Sequence, residues 1–562
     1  MANHEWRKKP RKFAPKSRLG CKTCKIRRIK CDQSRPSCDK CRSTGRICDG
    51  YSPSSFFAVD LNLDGTGGTI IQNMHRHMPP SLGPLLALPT AGPAQDETMH
   101  FFEHVSVLHV DEYYPSEPWR NTIMLFSQTA PPVRHAALAL ALMHRSYRHQ
   151  AVSPSLEHSP LFHYNRAIQL LLQQPESNSP EATAITLLTC YLFICFDHLA
   201  RNYVQAIKHL HGGVHLAQSI TSASMGRANT SPAIQVLISQ LKREMRRLDL
   251  QAVTFLVDWK PLEFLPAEDL DAPPSLRPRG SDLSWLPTHN GAFTSLDEAA
   301  DALQPLVSKI MCLRNLEQQR QITICLPSEE DLTPSPPPPS PPPASQLQTL
   351  SRHLQTWSTL FENTLLLQKK SPPSPTFIPL LRLHHTLSHI LLNTHYSPEG
   401  EMSYDLYTPQ FKHCLSLAKE VTTSGNQTAP ILTPSVGTIP VLYIIAAKCR
   451  HPGLRREALG LLRRGVPVRE AVWDGEIAAR VVERVIEIEE GRGAQEDMEM
   501  EIQMWRRVEM MTWVHHPGED GERKRLDLRY SFCGRERWFE EVIFMEEGGL
   551  GESSEGGIRR EE

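Results

Sequence analysis

The chain has 562 residues, of which 40% are hydrophobic, 22% charged and 7% aromatic, a balance typical of a folded protein. Its formal net charge is only −1, but residues 1–50 contain 16 Lys and Arg against 4 Asp and Glu, a local charge of +12. A basic amino-terminal segment on an acidic remainder indicates that this segment binds a polyanion.

Composition also excludes several classes of protein. The first residues, MANHEWRKKPRK, contain no apolar stretch of the secretory-signal type. The longest apolar-rich run, Ile185 to Phe196, is too short to cross a bilayer and predicts a buried helix. We therefore expect an intracellular protein with no membrane partner, whose 13 cysteines are thiols or metal ligands rather than disulfides.

The first element in chain order is a basic arm, residues 1–18, which we expect to be disordered. Seven of the twelve residues from Arg7 to Arg18 are basic. Such a run is typical of a nuclear import signal or of an arm that contacts phosphates, and a solvated tail is the alternative. The candidate import residues are Arg7, Lys8, Lys9, Arg11 and Lys12.

Six cysteines follow, in two copies of the pattern C-x2-C-x6-C: Cys21, Cys24, Cys31, Cys38, Cys41 and Cys48. Two tetrahedral zinc ions need eight coordination places, which six sulfurs fill only if two of them bridge both ions. A single ion would leave two thiols unused. An eight-ligand cross-brace usually includes a histidine, and none lies between the first and last of these cysteines. The pattern therefore predicts two zinc ions per chain.

The two cysteine repeats differ in charge. The first repeat, CKTCKIRRIKC, has five basic residues and no acid, whereas the second, CDKCRSTGRIC, has three basic residues and one acid. We therefore expect the first repeat to face a phosphate backbone, with a short helix starting at Cys24. Lys25, Lys30 and Arg35 are the expected phosphate contacts, which position a protein on DNA without reading sequence.

The segment GCKTCKIRRIKCDQSRPSCDKCRSTGRICDGY, Gly20 to Tyr51, resembles the fungal binuclear zinc cluster family of transcription regulators, the galactose-regulator type. The resemblance implies that residues 19–51 form a DNA-binding domain of two short helices, with Cys21 and Cys38 as the bridging ligands. It also implies that Arg27 and Arg28 occupy the positions that contact bases, and that a CGG-like triplet is read in the major groove of double-stranded DNA.

Residues 52–98 mix Pro, Gly and Ser with scattered apolar residues, and we expect a flexible linker. No heptad repeat follows Tyr51 that would pair two copies through a coiled coil. Either the protein binds a single site as a monomer, or the body that follows supplies the contact of a homodimer. The sequence leaves both open.

Residues 99–545 have mostly helical periodicity, and we expect a body of twelve to sixteen helices. Helices are expected to hinge near Asp197 and at Gly212-Gly213, and Ile439 to Ile445 fits a helix or a strand equally well. A Pro-rich disordered insert at 327–345 interrupts the body, and an acidic disordered tail, 546–562, ends the chain. One amphipathic helix is expected to bury Ile477, Val481, Val485 and Ile488, and Met500, Met504 and Met511 are expected to be core residues at helical spacing rather than a soft-metal site.

Three blocks of the body resemble a second fungal family, the regulatory domain often found behind a zinc cluster. They run from Trp119 to His144, from Tyr203 to Gln218 and from Cys449 to Gly475. The resemblance implies a large all-α regulatory domain. Together with the cysteine segment it predicts a mostly α protein.

The two resemblances predict a zinc-dependent, sequence-specific DNA-binding transcription factor that acts on RNA polymerase II transcription in the nucleus. Co-regulators and an import receptor are its expected further partners. We do not expect the protein to be an enzyme, since catalytic motifs such as H-E-x-x-H and G-x-S-x-G are absent from the sequence. One alternative makes the body a ligand-sensing or scaffolding module, which for sensing requires a deep apolar cavity. The other is a nonspecific nucleic-acid binder that uses the basic arm alone.

Overall fold

The computed structural model divides the chain into two compact units, Met1–Ser81 and Leu82–Glu562. The residues it describes are 23–24, 27, 29, 31–32, 38–44, 92–149, 159–173, 179–220, 232–256, 259, 291–325, 344–367, 376–394, 396–423, 431–463, 468–491, 502–516, 525–534 and 538–545.

The described part of the first unit is built from two short helical segments. Thr23 and Cys24 are helical in the first cysteine repeat, and helix α1, Asp39–Arg42, lies in the second. Cys38 is the N-cap of α1: its backbone is extended, and its sulfur accepts a hydrogen bond from the Cys41 amide.

The second unit is a helical body. Its α-helices are α2 Pro93–Phe101, α3 Val107–Val110, α4 Glu117–Thr129, α5 Pro131–His149, α6 Pro160–Leu172, α7 Pro180–Leu199, α8 Tyr203–Ser219, α9 Pro232–Phe255, α10 Leu296–Cys325, α11 Ala344–Leu367, α12 Phe377–Thr394, α13 Thr408–Thr423, α14 Ile439–Lys448, α15 Pro452–Leu462 and α16 Gly475–Glu490. A π-helical turn, Phe102–Ser106, precedes α3, and 3-10 turns at Gly400–Tyr407 and Met504–Arg506 precede α13 and the last sheet.

Local sequence signals set many of the helix starts. Proline occupies the first turn of α4, α6 and α7, where its missing N–H costs no hydrogen bond. Side chains cap the exposed amides: Ser116 accepts from Trp119, Ser179 from Ala182, and Asp474 from Glu476.

The body has two apolar cores. The first is formed by α2 to α9 around α7, whose side chains from Leu187 to Leu199 are buried on nearly every face. Among the described residues, α7 is long and apolar enough by length and composition to span a bilayer, yet 72% of its most apolar window is buried inside the body. That burial is what the core helix of a folded domain shows.

The second core is formed by the carboxyl-terminal end of α9, by α10 to α16, and by strands packed against them. Trp357 is 1% exposed, stacks on Phe361 at 4.8 Å, and donates from its ring nitrogen to the Ala299 carbonyl. Helix α9 contributes to both cores, because Leu248 belongs to the first and Leu250 and Val253 to the second.

Two three-stranded sheets complete the described body. In the first, β1 Ile431–Thr433 pairs in parallel with β2 Val468–Glu470, which pairs antiparallel with β3 Trp473–Asp474. In the second, β4 Val508–His516, β5 Arg525–Phe532 and β6 Trp538–Phe544 form an antiparallel meander. On β5, Leu526 and Leu528 are almost fully buried, so one face of this sheet covers the second core.

A buried network of charges joins the last sheet to the helices. The Glu489 carboxylate, which is 0% exposed, accepts hydrogen bonds from Arg450 at 2.9 Å and Arg455 at 2.7 Å and from the Val508 amide at the start of β4. Arg507 is the residue before Val508. Its guanidinium donates hydrogen bonds to the Asp405 carboxylate and to the Ile502 carbonyl. Each of these charges therefore has a hydrogen-bonded counterion.

The predicted mostly α fold is confirmed, with fifteen α-helices among the described residues of the body. The expectation of an all-α regulatory domain needs correction, because the body also carries the two sheets. Ile439 to Ile445 is helical, and the expected hinge at Gly212-Gly213 is wrong, since α8 runs through both glycines. Of the expected Pro-rich insert only Ala344 and Ser345 are described, and they are helical; the linker and the tail lie almost wholly outside the described residues.

The methionines near the carboxyl end also differ from expectation. Met511 lies on β4 rather than on a helix, and Met504 is 49% exposed in a 3-10 turn. Met500 lies outside the described residues. The amphipathic helix is confirmed as α16, in which Ile477, Val481 and Val485 are buried and Ile488 is half-buried.

Candidate metal centre

Three cysteine sulfurs converge in the first unit. The Sγ of Cys24 lies 3.6 Å from that of Cys38 and 3.8 Å from that of Cys41, and all three side chains are 0% exposed. Zinc–thiolate bonds of about 2.3 Å at tetrahedral angles place two sulfurs about 3.8 Å apart. The spacing of these sulfurs therefore fits a shared zinc ion.

A second group surrounds Cys38. Ligand atoms of Cys31, Asp32 and Cys38 lie within 4.8 Å of one another, as do those of Cys24, Cys38 and Cys41. Cys38 is thus common to both groups, which is the position that a sulfur shared by two ions must occupy. Cys21 and Cys48 lie outside the described residues.

The backbone explains how a C-x2-C pair brings two sulfurs together. The amides of Cys41 and Arg42 donate to the Cys38 carbonyl, both at 3.1 Å, so the chain turns once between the two cysteines. The Cys41 amide also lies 3.3 Å from the Cys38 sulfur. A hydrogen bond from a backbone N–H group stabilises a thiolate and fixes the orientation of the cysteine side chain, as outer-shell partners do at metal sites.

Asp32 is a structural residue that the sequence argument missed. Its carboxylate oxygens accept hydrogen bonds from the backbone nitrogens of Asp39, at 2.8 Å, and Lys40, at 3.0 Å. These are the first two residues of α1, whose amides have no partner within the helix. Asp32 therefore ties the end of the first repeat to the start of the second, and the signal was an acid placed directly after Cys31 in a basic segment.

The predicted DNA-contacting residues are only partly described. Arg27 is half-buried and donates from Nη1 to the Thr44 hydroxyl at 3.0 Å. The others lie outside the described residues, as do the candidate import residues: Arg28, Lys25, Lys30, Arg35, Arg7, Lys8, Lys9, Arg11 and Lys12. Lys40 and Arg42 add exposed positive charge, although Arg42 pairs with Asp39 at 2.6 Å.

The body also contains a small pocket. The pocket lies beside Tyr404, Tyr443 and Lys448, and its volume is about 30 Å³, room for a few water molecules. Pockets that bind organic ligands measure roughly 300 to 1,000 Å³. Lys448 is also engaged there, with Glu401 at 2.7 Å and two carbonyls of β4. This pocket gives no support to a ligand-sensing body.

A sulfur-lined metal module that precedes a two-core helical body defines the class of protein, and comparison with known proteins narrows it. Residues 19–55 match the fungal Zn(2)-Cys(6) binuclear cluster domain, and residues 98–243 match the fungal specific transcription factor domain. The chain therefore carries two domains that are found in fungal binuclear zinc cluster transcription factors, and the zinc-cluster domain lies in its first unit.

Two relatives extend over much of the chain. The aspercryptin biosynthesis cluster-specific transcription regulator atnN of Emericella nidulans is 28% identical over 43% of this chain and 42% of its own length. The transcription regulator lscL of Purpureocillium lilacinum is 28% identical over 34% of this chain and 46% of its own length. The chain thus spans less than half the length of these curated relatives.

A third relative matches only a short segment. The transcriptional regulatory protein moc3 of Schizosaccharomyces pombe is 45% identical over 46 residues, 8% of this chain and 9% of its own length. No solved structure matches the chain.

Proposed function

We propose that this protein is a zinc-dependent, sequence-specific DNA-binding factor that regulates RNA polymerase II transcription in the nucleus. The observation that carries the proposal is the convergence of buried cysteine sulfurs at zinc–thiolate spacing within the most basic part of the chain. We infer no catalytic role.

Two zinc ions occupy the cluster in this proposal, bridged by Cys21 and Cys38. The assignment of Cys38 as a bridging ligand is supported by its membership of both groups of ligand atoms among the described residues. The ions supply rigidity by holding distant cysteines together, which a segment this small cannot achieve by apolar burial. Six thiolates and two zinc ions leave a charge of −2, which the surrounding Lys and Arg side chains offset.

The basic residues of the first repeat meet DNA. Lys25, Lys30 and Arg35 contact phosphates, while the Arg27-Arg28 pair lies at the bases of a CGG-like triplet. An arginine offers forked donors to guanine N7 and O6, which is why this residue type suits the major groove. Arg7, Lys8, Lys9, Arg11 and Lys12 bind an import receptor, and the body contacts co-regulators. The proposal has two versions: the protein binds a single DNA site as a monomer, or it binds as a homodimer whose contact is supplied by the body.

Binding-site selection tests the proposal directly. The zinc-loaded full-length chain is incubated with randomised duplexes, and the enriched sequences are compared with those recovered by an Arg28→Ala variant. We expect a CGG-like triplet for the native chain and relaxed preference at one base pair for the variant. Elemental analysis of the same preparation should find two zinc ions per chain. Absence of enrichment, or no more than one ion, would contradict the proposal.

A further inference from the structure

Two hydrogen-bonded contacts join the cysteine repeats without using sulfur. The first runs from Asp32 to the amides of Asp39 and Lys40, and the second from Arg27 to Thr44. We call these the cross-repeat links. Both connect a side chain within or directly after the first repeat to the second repeat, so they fix the orientation of one repeat on the other in addition to the metal.

The Arg27 link has a defined donor and acceptor order. Thr44 donates from its hydroxyl to the Lys40 carbonyl at 2.8 Å, with the Cys41 carbonyl at 3.2 Å. A hydroxyl has one proton and two acceptor lone pairs. Since that proton is used within the second repeat, the oxygen accepts from Arg27 Nη1 at 3.0 Å. A positively charged donor makes this a stronger bond than a neutral pair of the same length.

The backbone carries the effect of this bond to the metal ligands. The Arg27 amide donates to the Thr23 carbonyl, and the Ile29 amide to the Cys24 carbonyl, both at 3.1 Å. Arg27 and Ile29 therefore lie in a turn that is continuous with a cysteine whose sulfur belongs to the metal centre. Holding Arg27 against Thr44 consequently sets the orientation of the whole turn.

This geometry divides the work of the arginine pair. An arginine that reads guanine uses both tips of its fork on one base, but one tip of Arg27 is held by Thr44. We propose that Arg27 is a positioning residue that orients the first repeat through Thr44, and that base reading belongs to Arg28. This inference rests on the proposed DNA-binding function and changes the role of one of its residues.

The test uses the zinc-loaded full-length chain and a duplex taken from the site selection. Dissociation rates are measured for Arg27→Ala, Thr44→Val and the double variant. The rate counts only molecules that were folded and bound, so a loss of folded protein does not affect it. We expect each single variant to dissociate about tenfold faster, as loss of one charge-assisted hydrogen bond predicts. The double variant should be no faster than either single variant.

Thr44→Ser is the matched control, because it keeps the hydroxyl, and we expect its dissociation rate to equal that of the native chain. All four variants should retain the native base preference. The result that overturns the inference is a changed base preference for Arg27→Ala together with native dissociation for Thr44→Val. Additive effects of the two substitutions would also overturn it, since they would show that the two side chains act separately.

A second measurement keeps this inference separable from the proposed function. Zinc release to an excess of chelator is followed without DNA. Arg27→Ala and Thr44→Val should speed release by the same factor, with no further gain in the double variant, whereas Arg28→Ala should release zinc at the native rate. If the native chain shows no sequence preference, the proposed function fails, and zinc release alone decides whether the link exists. Equal release from all variants would then reject it.

Discussion

The two units of this protein are stabilised by different interactions. In the described part of the first unit, the buried cluster consists of Cys24, Cys31, Cys38 and Cys41, with no aliphatic or aromatic side chain in it. The body, in contrast, buries two large apolar cores and a network of paired charges. We therefore expect the first unit to depend on a metal ion for its structure, whereas the body is stabilised by burial of apolar surface.

Charge follows the same division. The first fifty residues carry a net charge of +12, while the remaining 512 carry −13. A net negative charge disfavours binding of a polyanion, so we expect attraction to DNA to come mainly from the basic first fifty residues. The comparison teaches that removing the metal should end DNA binding without unfolding most of the chain.

The largest expected effect is that of removing a central sulfur. Cys38→Ala deletes the residue common to both groups of ligand atoms. We expect loss of zinc and of specific DNA binding, because structural zinc sites contribute roughly 10 to 16 kcal/mol to the folding of small modules. Thermal unfolding of the body, followed by helical circular dichroism, should keep its native midpoint.

Cys414→Ala provides the comparison for that experiment. Cys414 is 0% exposed in the second core, where burial raises the pKa of its thiol to about 12. Its substitution should lower the unfolding midpoint of the body and leave zinc content at the native level. If Cys38→Ala lowered the midpoint of the body instead, the separation between the two units would be wrong.

The next largest effect concerns the charge network of the body. Glu489→Gln removes the negative charge that Arg450 and Arg455 share. Breaking a buried ion pair by neutralising one partner typically costs about 3 to 5 kcal/mol. We expect a loss of that size in the free energy of unfolding in urea, and a reduced order of β4, whose first amide donates to the same carboxylate.

Glu483→Gln is the surface counterpart on the same helix. Glu483 pairs with Arg463 and Arg480, whose side chains are 41% and 40% exposed. Exposed pairs contribute about 0 to 1 kcal/mol, so this variant should remain close to the native chain. Similar small losses for both variants would show that the buried network contributes little to the stability of the body.

The sequence was most informative where chemistry restricts spacing. Six cysteines in two repeats predicted a two-metal centre, and the structure brings the sulfurs of Cys24, Cys38 and Cys41 together. The sequence alone could not identify the hydrogen-bond partners of Asp32 and Arg27, because these partners depend on how one repeat folds over the other. A hydrogen bond between residues 27 and 44 leaves no periodic pattern in the chain.

In the body, helical periodicity predicted α16 and the approximate number of helices but missed the last sheet. An alternation of apolar and polar residues was nevertheless present on β5: Leu526 and Leu528 are buried, and Asp527 and Arg529, which follow them in turn, are polar. A period of two marks a strand with one buried face. The prediction of a hinge at Gly212-Gly213 was wrong because it relied on the low helix propensity of glycine. Packing of α8 on its neighbours outweighs that propensity.

The smallest expected effect is a pH dependence in the first core. His198 lies on α7 and is 4% exposed, and its Nδ1 has no hydrogen-bond partner among the described residues. Burial lowers the pKa of this imidazole from 6.5 to about 3. The folded body therefore keeps the ring neutral while the unfolded chain takes up a proton below pH 6.5. The contribution of His198 to stability therefore falls as the pH drops from 6.5 toward 3.

Replacing this side chain isolates its contribution. Between pH 7 and pH 5 the native body should lose about 2 kcal/mol of unfolding free energy relative to His198→Leu, since each pH unit below the unfolded pKa costs about 1.4 kcal/mol. Urea unfolding at several pH values measures the difference. Parallel curves for the two proteins would mean that the folded body accepts a proton at His198, so that the first core is more open to water there than its packing indicates.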